Sequence, residues 1–377
     1  MNLLMEMIYA VGIVGFLALA YTYLIYPLVM WFWAKVKATD ACLCEERVIE
    51  PKKIAVVMSV YNEERFLQQR IEQLRNLKYG TEVLIVVGSD GSTDRTNSIL
   101  KELAKRYANV KAFFFPRRGK ASTINDLVRS LPENIEYLVL TDAKTFSDDN
   151  AIEVLVSALK GEGVGIAMPL VKATGSKESV YFDMEIKLKC HESLVFGYCA
   201  GAFGNMYAMR RALYVPVPEN FVVDDLFITL QVVLKGYKTK VCGNTSSYVV
   251  PTDVWQEFQR RRRIAAGNWQ VLKWMVARTF KFPLSFLFIM FSHKLLRWLG
   301  PFWILSIIAS TSMLMVQFPI LAIPFLVLLV AIYVIKPLRN LVVRFVVLNA
   351  ALLMGFFDFL FKKQRGVWNP TKREINL

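Results

Sequence analysis

Three strand-like runs in the first half of the chain each end in an acidic loop, which restricts the fold more than any other feature of the sequence. Val56-Val57-Met58-Ser59-Val60 leads into Tyr61-Asn62-Glu63-Glu64, and residues 83–87 lead into Gly88-Ser89-Asp90-Gly91-Ser92-Thr93-Asp94. Residues 137–140 lead into Thr141-Asp142-Ala143-Lys144-Thr145, and a later acidic pair is Asp224-Asp225. Between these loops, residues 66–77 have the apolar spacing of an amphipathic helix, Ser92 or Asp94 can cap a helix running to Tyr107, and another helix begins near Ala121. Residues 111–115 supply a further strand. Right-handed β-α-β crossovers then give a largely parallel sheet with helices on both faces. Ligands bind such sheets outside the carboxyl ends of the strands, so the acidic loops should converge on one site.

The ends of the chain read differently. Of 377 residues, 55% are hydrophobic, and the excess is concentrated where residues 7–34 and 299–335 carry no charge. Each run can hold a membrane span of about 20 residues, and the second can hold two. Lys35 and Lys37 follow the first run at once, so the positive-inside rule puts the central domain in the cytoplasm of a multi-pass cell-membrane protein. The net charge of +15 comes from basic residues beside apolar segments, such as residues 260–263, Lys336, Arg339, Lys362 and Lys363. That pattern fits anionic membrane lipids, and no nucleic-acid reading module accompanies it. Cys42, Cys44, Cys190, Cys199 and Cys242 are odd in number and lack paired spacing, which argues against a disulfide framework and a zinc site. Neither His191 nor His293 belongs to a Ser or Cys catalytic constellation.

Further motifs follow in a fixed order: Arg117-Arg118-Gly119-Lys120-Ala121 with Asn125, the glycine-rich residues 197–205, and Val222-Val223-Asp224-Asp225-Leu226. Near the carboxyl end come Gln259-Arg260-Arg261-Arg262-Arg263-Ile264 and Trp368-Asn369-Pro370-Thr371-Lys372-Arg373. Together with the acidic loops they resemble the family 2 glycosyltransferases, in the membrane-embedded branch that includes cellulose, hyaluronan and poly-N-acetylglucosamine synthases. The resemblance implies an α/β GT-A domain, Rossmann-like with a mostly parallel sheet, with transmembrane and interfacial helices. It divides the chain into an anchor at 1–34, a GT-A domain at 50–255, a basic interfacial segment at 256–295, a membrane region at 296–361 and a cytoplasmic tail at 362–377. The implied activity is inverting transfer of a sugar from a nucleotide donor, expected to be a UDP sugar, to a glycan or lipid-linked acceptor.

The same resemblance assigns roles. Tyr61, Asn62, Glu63, Asp90, Lys120, Asn125, Asp142, Arg260 and Arg263 are expected at the donor, Asp225 as general base and Asp224 as its support. Gly201 is expected at the acceptor, with Trp368, Thr371 and Arg373 in a terminal gate. Asp142 matches the first aspartate of the D-x-D motif, so it should hold a divalent cation, Mg or Mn. Lys144 stands where the second aspartate is usual, and a protonated lysine cannot ligate a metal. Either Asp142 and the phosphates hold a more open ion, or Lys144 supplies part of the charge. Ile264 and Arg260 replace the tryptophan and glutamine of Q-x-x-R-W, which leaves processive synthesis unsupported. Two C-terminal spans, near residues 299–316 and 320–335, would return the chain to the cytoplasm, with residues 341–361 interfacial or re-entrant. The competing readings are a nucleotidyltransferase of similar topology and a non-catalytic membrane scaffold.

Overall fold

A computed structural model of the chain describes residues 3–37, 43–44, 50–173, 179–249 and 254–362. Helices α1 (Leu3–Ala20) and α2 (Tyr26–Val36) are joined by a π-helical turn at Tyr21–Ile25 into one apolar helix of 34 residues. Eight strands follow: β1 (Ile54–Val60), β2 (Leu84–Asp90), β3 (Val110–Phe115), β4 (Tyr137–Thr141), β5 (Thr145–Ser147), β6 (Val164–Ala173), β7 (Met206–Arg210) and β8 (Lys238–Val249). Among them run α3 (Leu67–Asn76), α4 (Thr96–Arg106), α5 (Lys120–Arg129), α6 (Ala151–Ala158), α7 (Ser179–Phe196) and α8 (Asp224–Leu234).

The strands form one sheet in the order β3-β2-β1-β4-β7-β6-β8-β5. The first four are parallel, as the sequence predicts. Beyond them β7 runs antiparallel to both β4 and β6, β8 is parallel to β6, and β5 is antiparallel to β8. Both faces of the sheet are covered, which is why β1 is an almost unbroken apolar run and not an alternating one. Its side chains still alternate: Ile54, Val56 and Met58 enter one core while Ala55 and Val57 enter the other. Leu67, Ile71 and Leu74 of α3, with Leu100 and Leu103 of α4, close the first core. Ile124 and Leu127 of α5, with Phe227, Ile228 and Val232 of α8, close the second. Truncating a fully buried member such as Ile71 to alanine should cost about 2–5 kcal/mol. The two helices that begin with Lys120 and Asp224 thus lie on the same face; α5 starts shortly after β3, whereas α8 starts after a longer segment that follows β7.

Cys44 is disulfide-bonded to Cys242 on β8, 198 residues away, and Cys190 is disulfide-bonded as well. This corrects the expectation drawn from cysteine spacing, because spacing along the chain is blind to a pair that only the fold brings together. Asn244 reinforces the same junction: its Oδ1 accepts the Cys44 N–H at 3.2 Å, and its Nδ2 donates to the Cys44 carbonyl at 3.0 Å. Cys199 is a buried free thiol.

The remaining helices are α9 (Val254–Val276), α10 (Leu284–Ile289), α11 (Leu296–Trp298), α12 (Gly300–Gln317), α13 (Ala322–Val334) and α14 (Lys336–Leu360). By internal contacts the chain forms two units: residues 1–29, 254–269 and 288–363, and residues 30–253, 270–287 and 364–377. In the first unit, Arg262 of α9 makes a two-pronged ion pair with Asp358 of α14, Nη2 to Oδ1 at 2.7 Å. Three helices are long and apolar enough to cross a membrane: Leu3–Val36, Gly300–Gln317 and Lys336–Leu360. The expected pattern of C-terminal spans therefore shifts. Even counted from the 3-10 turn at Pro319, the helical segment Pro319–Val334 reaches only about 24–26 Å, short of a hydrocarbon core of about 30 Å. The 25 residues of α14, expected in the interface, reach about 37 Å.

Candidate active site

The first two acidic loops are tied to each other. Asn62, at φ 54°, donates its backbone N–H to Ser92 Oγ at 3.1 Å, and its Oδ1 accepts the Thr93 N–H at 2.8 Å. Glu64 Oε2 accepts the Arg95 N–H at 3.0 Å, and Asp94 Oδ1 accepts the Thr96 N–H at 2.9 Å, fixing the start of α4. Gly91 has φ +73°, and a Cβ there would lie 2.8 Å from the Arg117 backbone nitrogen. Only glycine allows the two segments to approach so closely. Asp90 is buried at the end of β2 and its carboxylate is heavily engaged: Oδ1 accepts the Arg118 N–H at 2.8 Å, both oxygens take the Gly119 N–H at 3.0 Å, and Oδ2 pairs with the Arg117 guanidinium. That guanidinium stacks on Tyr61, 3.4 Å from the ring centroid. Asp90, expected to read a nucleotide base, thus also anchors the loop that presents Lys120.

Lys120 begins α5 and gathers the other acids. Its Nζ lies 3.0 Å from Asp142 Oδ1, at the end of β4, and 3.5 Å from Asp224 Oδ2, at the start of α8. Burial opposes its charge, yet Asp142, Asp224 and Asp225 hold its proton well above the ordinary lysine range. Asp225 moves the other way from a typical carboxylate. Burial first and Asp224 second raise its pKa to about 6, although Lys120 and a hydrogen bond from the Leu226 N–H (2.7 Å) pull it down. Its carboxylate faces Gly204, where a Cβ would come within 2.5 Å of Oδ2. Gly204, in the loop of residues 197–205, therefore brings bare backbone against the Asp225 carboxylate. That loop is held by its own polar groups: Thr239 Oγ1 accepts the Cys199 N–H at 2.8 Å, Thr229 Oγ1 the Ala202 N–H at 3.0 Å, and Lys189 Nζ donates to the Gly201 carbonyl at 2.9 Å.

The other expected site residues are distributed as follows. Lys144 points to Glu63, Nζ to Oε1 at 3.0 Å, with side-chain exposures of only 13% and 10%. Asn125 is engaged by the segment after β7: its Oδ1 accepts from the Tyr214 hydroxyl (2.7 Å) and the Val217 N–H (2.9 Å), and its Nδ2 donates to the Val217 carbonyl (2.8 Å). This amide, expected at the nucleotide, builds the wall beside α5. Arg260 and Arg263 stand on α9. Arg260 grips Glu257 through Nε at 2.8 Å and Nη2 at 2.9 Å; burial would raise the Glu257 pKa, but Arg261 and Arg260 hold it down at about 2. Trp368, Thr371 and Arg373 lie outside the described residues.

Two residues that sequence reasoning missed stand beside the acidic cluster. Arg70 of α3 is fully buried, donates from Nη2 to Thr141 Oγ1 at 2.9 Å, and contacts Gln73. Burial lowers its pKa to about 9 while Asp142 resists. Its signal was legible: a charge at the apolar face of α3, between Leu67 and Leu74. Tyr207 of β7 gave no such signal, since an aromatic in a strand reads as core.

No group of three or more metal-ligating side chains gathers among the described residues. Asp142 is nevertheless an oxygen donor with 44% of its side chain exposed. That suits a hard cation completing its shell with phosphate and water oxygens, for which one or two protein carboxylates are enough.

A parallel half-sheet with acids at its strand ends, continued by mixed strands, is the GT-A arrangement, and the comparisons agree. Mannosyltransferase PcManGT from Pyrobaculum calidifontis, solved in complex with GDP-Man and Mn2+, superposes with a TM-score of 0.73 at 19% identity, covering 94% of this chain and 100% of that one. Glycosyl transferase family 2 matches residues 55–214, and Glycosyl transferase family group 2 matches residues 169–338. The two family models together span residues 55–338, which places the chain in glycosyltransferase family 2, and its fold is GT-A. It is 24% identical over 253 residues to "Probable glycosyltransferase YdaM" of Bacillus subtilis, covering 63% of this chain and 60% of that protein. It is 21% identical over 254 residues to poly-beta-1,6-N-acetyl-D-glucosamine synthase of Staphylococcus aureus, covering 64% and 61%. The match thus spans about three-fifths of the length of these curated relatives.

Proposed function

We propose that the chain moves a sugar, with inversion, from a nucleoside-diphosphate donor to a hydroxyl of a glycan or lipid-linked acceptor at a membrane. The observation that carries this reading is the sharing of Lys120 among carboxylates from separate loops, with Asp225 tuned to about 6. A general base works best when its pKa lies near the working pH, and the elevation of Asp225 brings it there. Asp224 sustains that elevation by repulsion. Lys120 at the amino terminus of α5 suits a diphosphate, since the helix adds free N–H donors and a favourable dipole. Even with Lys120 and the nearby Arg70, the three carboxylates Asp142, Asp224 and Asp225 leave the cluster net negative, which favours a bound cation. Asp142 would hold such an ion, which when bound neutralises charge developing on the departing diphosphate. Lys144 is a poor substitute, because Glu63 already neutralises it. The Mn2+ of the PcManGT complex supports the same choice.

The test uses the full chain in native membranes, a panel of nucleotide sugars and a lipid extract. UDP sugars, expected from the sequence, and GDP-mannose, the ligand of the PcManGT complex, come first. Product NMR should show inverted anomeric configuration, Asp225→Asn should abolish transfer while nucleotide still binds, and chelation should stop turnover. Retained configuration, or turnover by Asp225→Asn, would end the reading. Full activity in excess chelator would move the charge-compensating role to the protein's own cations.

We further propose that α1–α2, α12 and α14 cross the membrane while α13 does not. With three crossings the far end of α14 returns to the side from which α9 enters, and the Arg262–Asp358 pair between these two helices supports that reading.

A further inference from the structure

Tyr207 is 1% exposed, and its hydroxyl has no hydrogen-bond partner among the described residues. Buried hydroxyls are almost always satisfied, so one that is not calls for an explanation in another state of the molecule. Its location suggests which state. Antiparallel pairing sets Tyr207 of β7 opposite Leu140 of β4, two residues before Asp142, and the pair shares the core face closed by α5 and α8. Those helices begin with Lys120 and with Asp224-Asp225. Burial and then Asp224 and Asp225 make the hydroxyl reluctant to ionise, as expected for an O–H within electrostatic reach of both carboxylates. The neighbouring Tyr214 differs, because its hydroxyl donates to Asn125 Oδ1 at 2.7 Å.

Lys120 is the cation that Asp142 and Asp224 share. If the proposed function holds, a donor diphosphate competes for that ammonium. Asp224, largely buried, then loses its partner, and an unpaired buried carboxylate is strongly unfavourable. We propose that Tyr207 is a positioning residue that takes over at this moment: its hydroxyl donates to Asp224 when Lys120 turns to the diphosphate. Asp224 so held keeps Asp225 aimed at the acceptor hydroxyl. The resting chain leaves the hydroxyl idle, and the donor-bound chain employs it.

Tyr207→Phe in the full chain tests this, beside Asp225→Asn and Tyr214→Phe. Removing a hydroxyl that bonds nothing at rest should leave the unliganded melting temperature unchanged or slightly raised. Turnover should fall about tenfold in kcat with the donor KM within twofold. Tyr214→Phe, which loses a bond present at rest, should instead lower the melting temperature. A wild-type kcat for Tyr207→Phe, a loss confined to KM, or a melting temperature that falls along with kcat would each overturn the proposal. Asp225→Asn separates it from the reading on which it rests: turnover in that variant defeats the base assignment itself, whereas an inactive Asp225→Asn with a normal Tyr207→Phe defeats only the role of Tyr207.

Discussion

At the scale of single residues, Asp225 turns position into pH dependence. Its folded pKa of about 6 stands above the 3.8 of an unperturbed aspartate. The proposed base must be ionised to accept a proton, so kcat/KM should fall about tenfold per pH unit below pH 6. Asp224→Asn removes the repulsion and frees Lys120, and both changes should move that limb to lower pH. A limb that stays in place would show that Asp225 is not the titrating base. For stability the sign is the reverse of the usual carboxylate: the raised pKa favours the folded state below pH 3.8, and that contribution is lost as pH rises through about 6. Asp225→Asn should therefore stabilise the inactive protein at pH 7.5, by about 1 kcal/mol after allowance for solvent screening. The acids themselves were legible in the sequence because each follows an apolar run. The partnerships were not. Pairing of Lys144 with Glu63, and of Asn125 with residues 214–217, depends on contacts across 81 and up to 92 positions that no local pattern encodes.

At the scale of elements, periodicity worked where burial is simple. β1, β2 and β4 are near-continuous apolar runs because they are buried on both faces, and right-handed crossovers fix which face each connecting helix covers. The reversal of β7 carries no such signature, since a strand reads alike in either direction. The membrane helices were less legible: α13 is strongly apolar yet short, while α14 carries Lys336, Arg339 and Arg344 on a helix long enough to cross. Hydropathy ranks composition, and length decides reach. The Cys44–Cys242 bond was invisible for want of the fold, and it has a measurable effect. Closing a loop of 198 residues restricts the unfolded chain by up to about 5 kcal/mol. Cys242→Ser should lower the unfolding free energy by about 2–5 kcal/mol. Reductant should destabilise the wild type at least as much, since Cys190 is also bonded. Melting curves that ignore both the mutation and the reductant would count against the bond.

At the scale of the whole molecule, the crossing pattern is open to direct labelling. With α14 spanning, its two ends face opposite sides of the membrane. Cysteines introduced by Lys336→Cys and Lys362→Cys, in a chain whose other thiols are replaced, should react with an impermeant reagent only from outside and only from inside, respectively. Labelling of both from one side would place α14 in the interface, as the sequence alone suggested. The same molecule also shows what one reversed strand achieves. Because β7 starts where β4 stops, residues 197–205 leave α7, pass Asp225 and enter the sheet at the rim that carries Asp142. Had β7 run parallel to β4, its first residue would lie at the opposite edge, about 17 Å away over five residues. The loop would then have had to travel the height of the domain and back, in the manner of a crossover helix. Reversal shortens that circuit to nine residues, so the backbone that confronts Asp225 is braced by the sheet itself and has no slack to lend to motion.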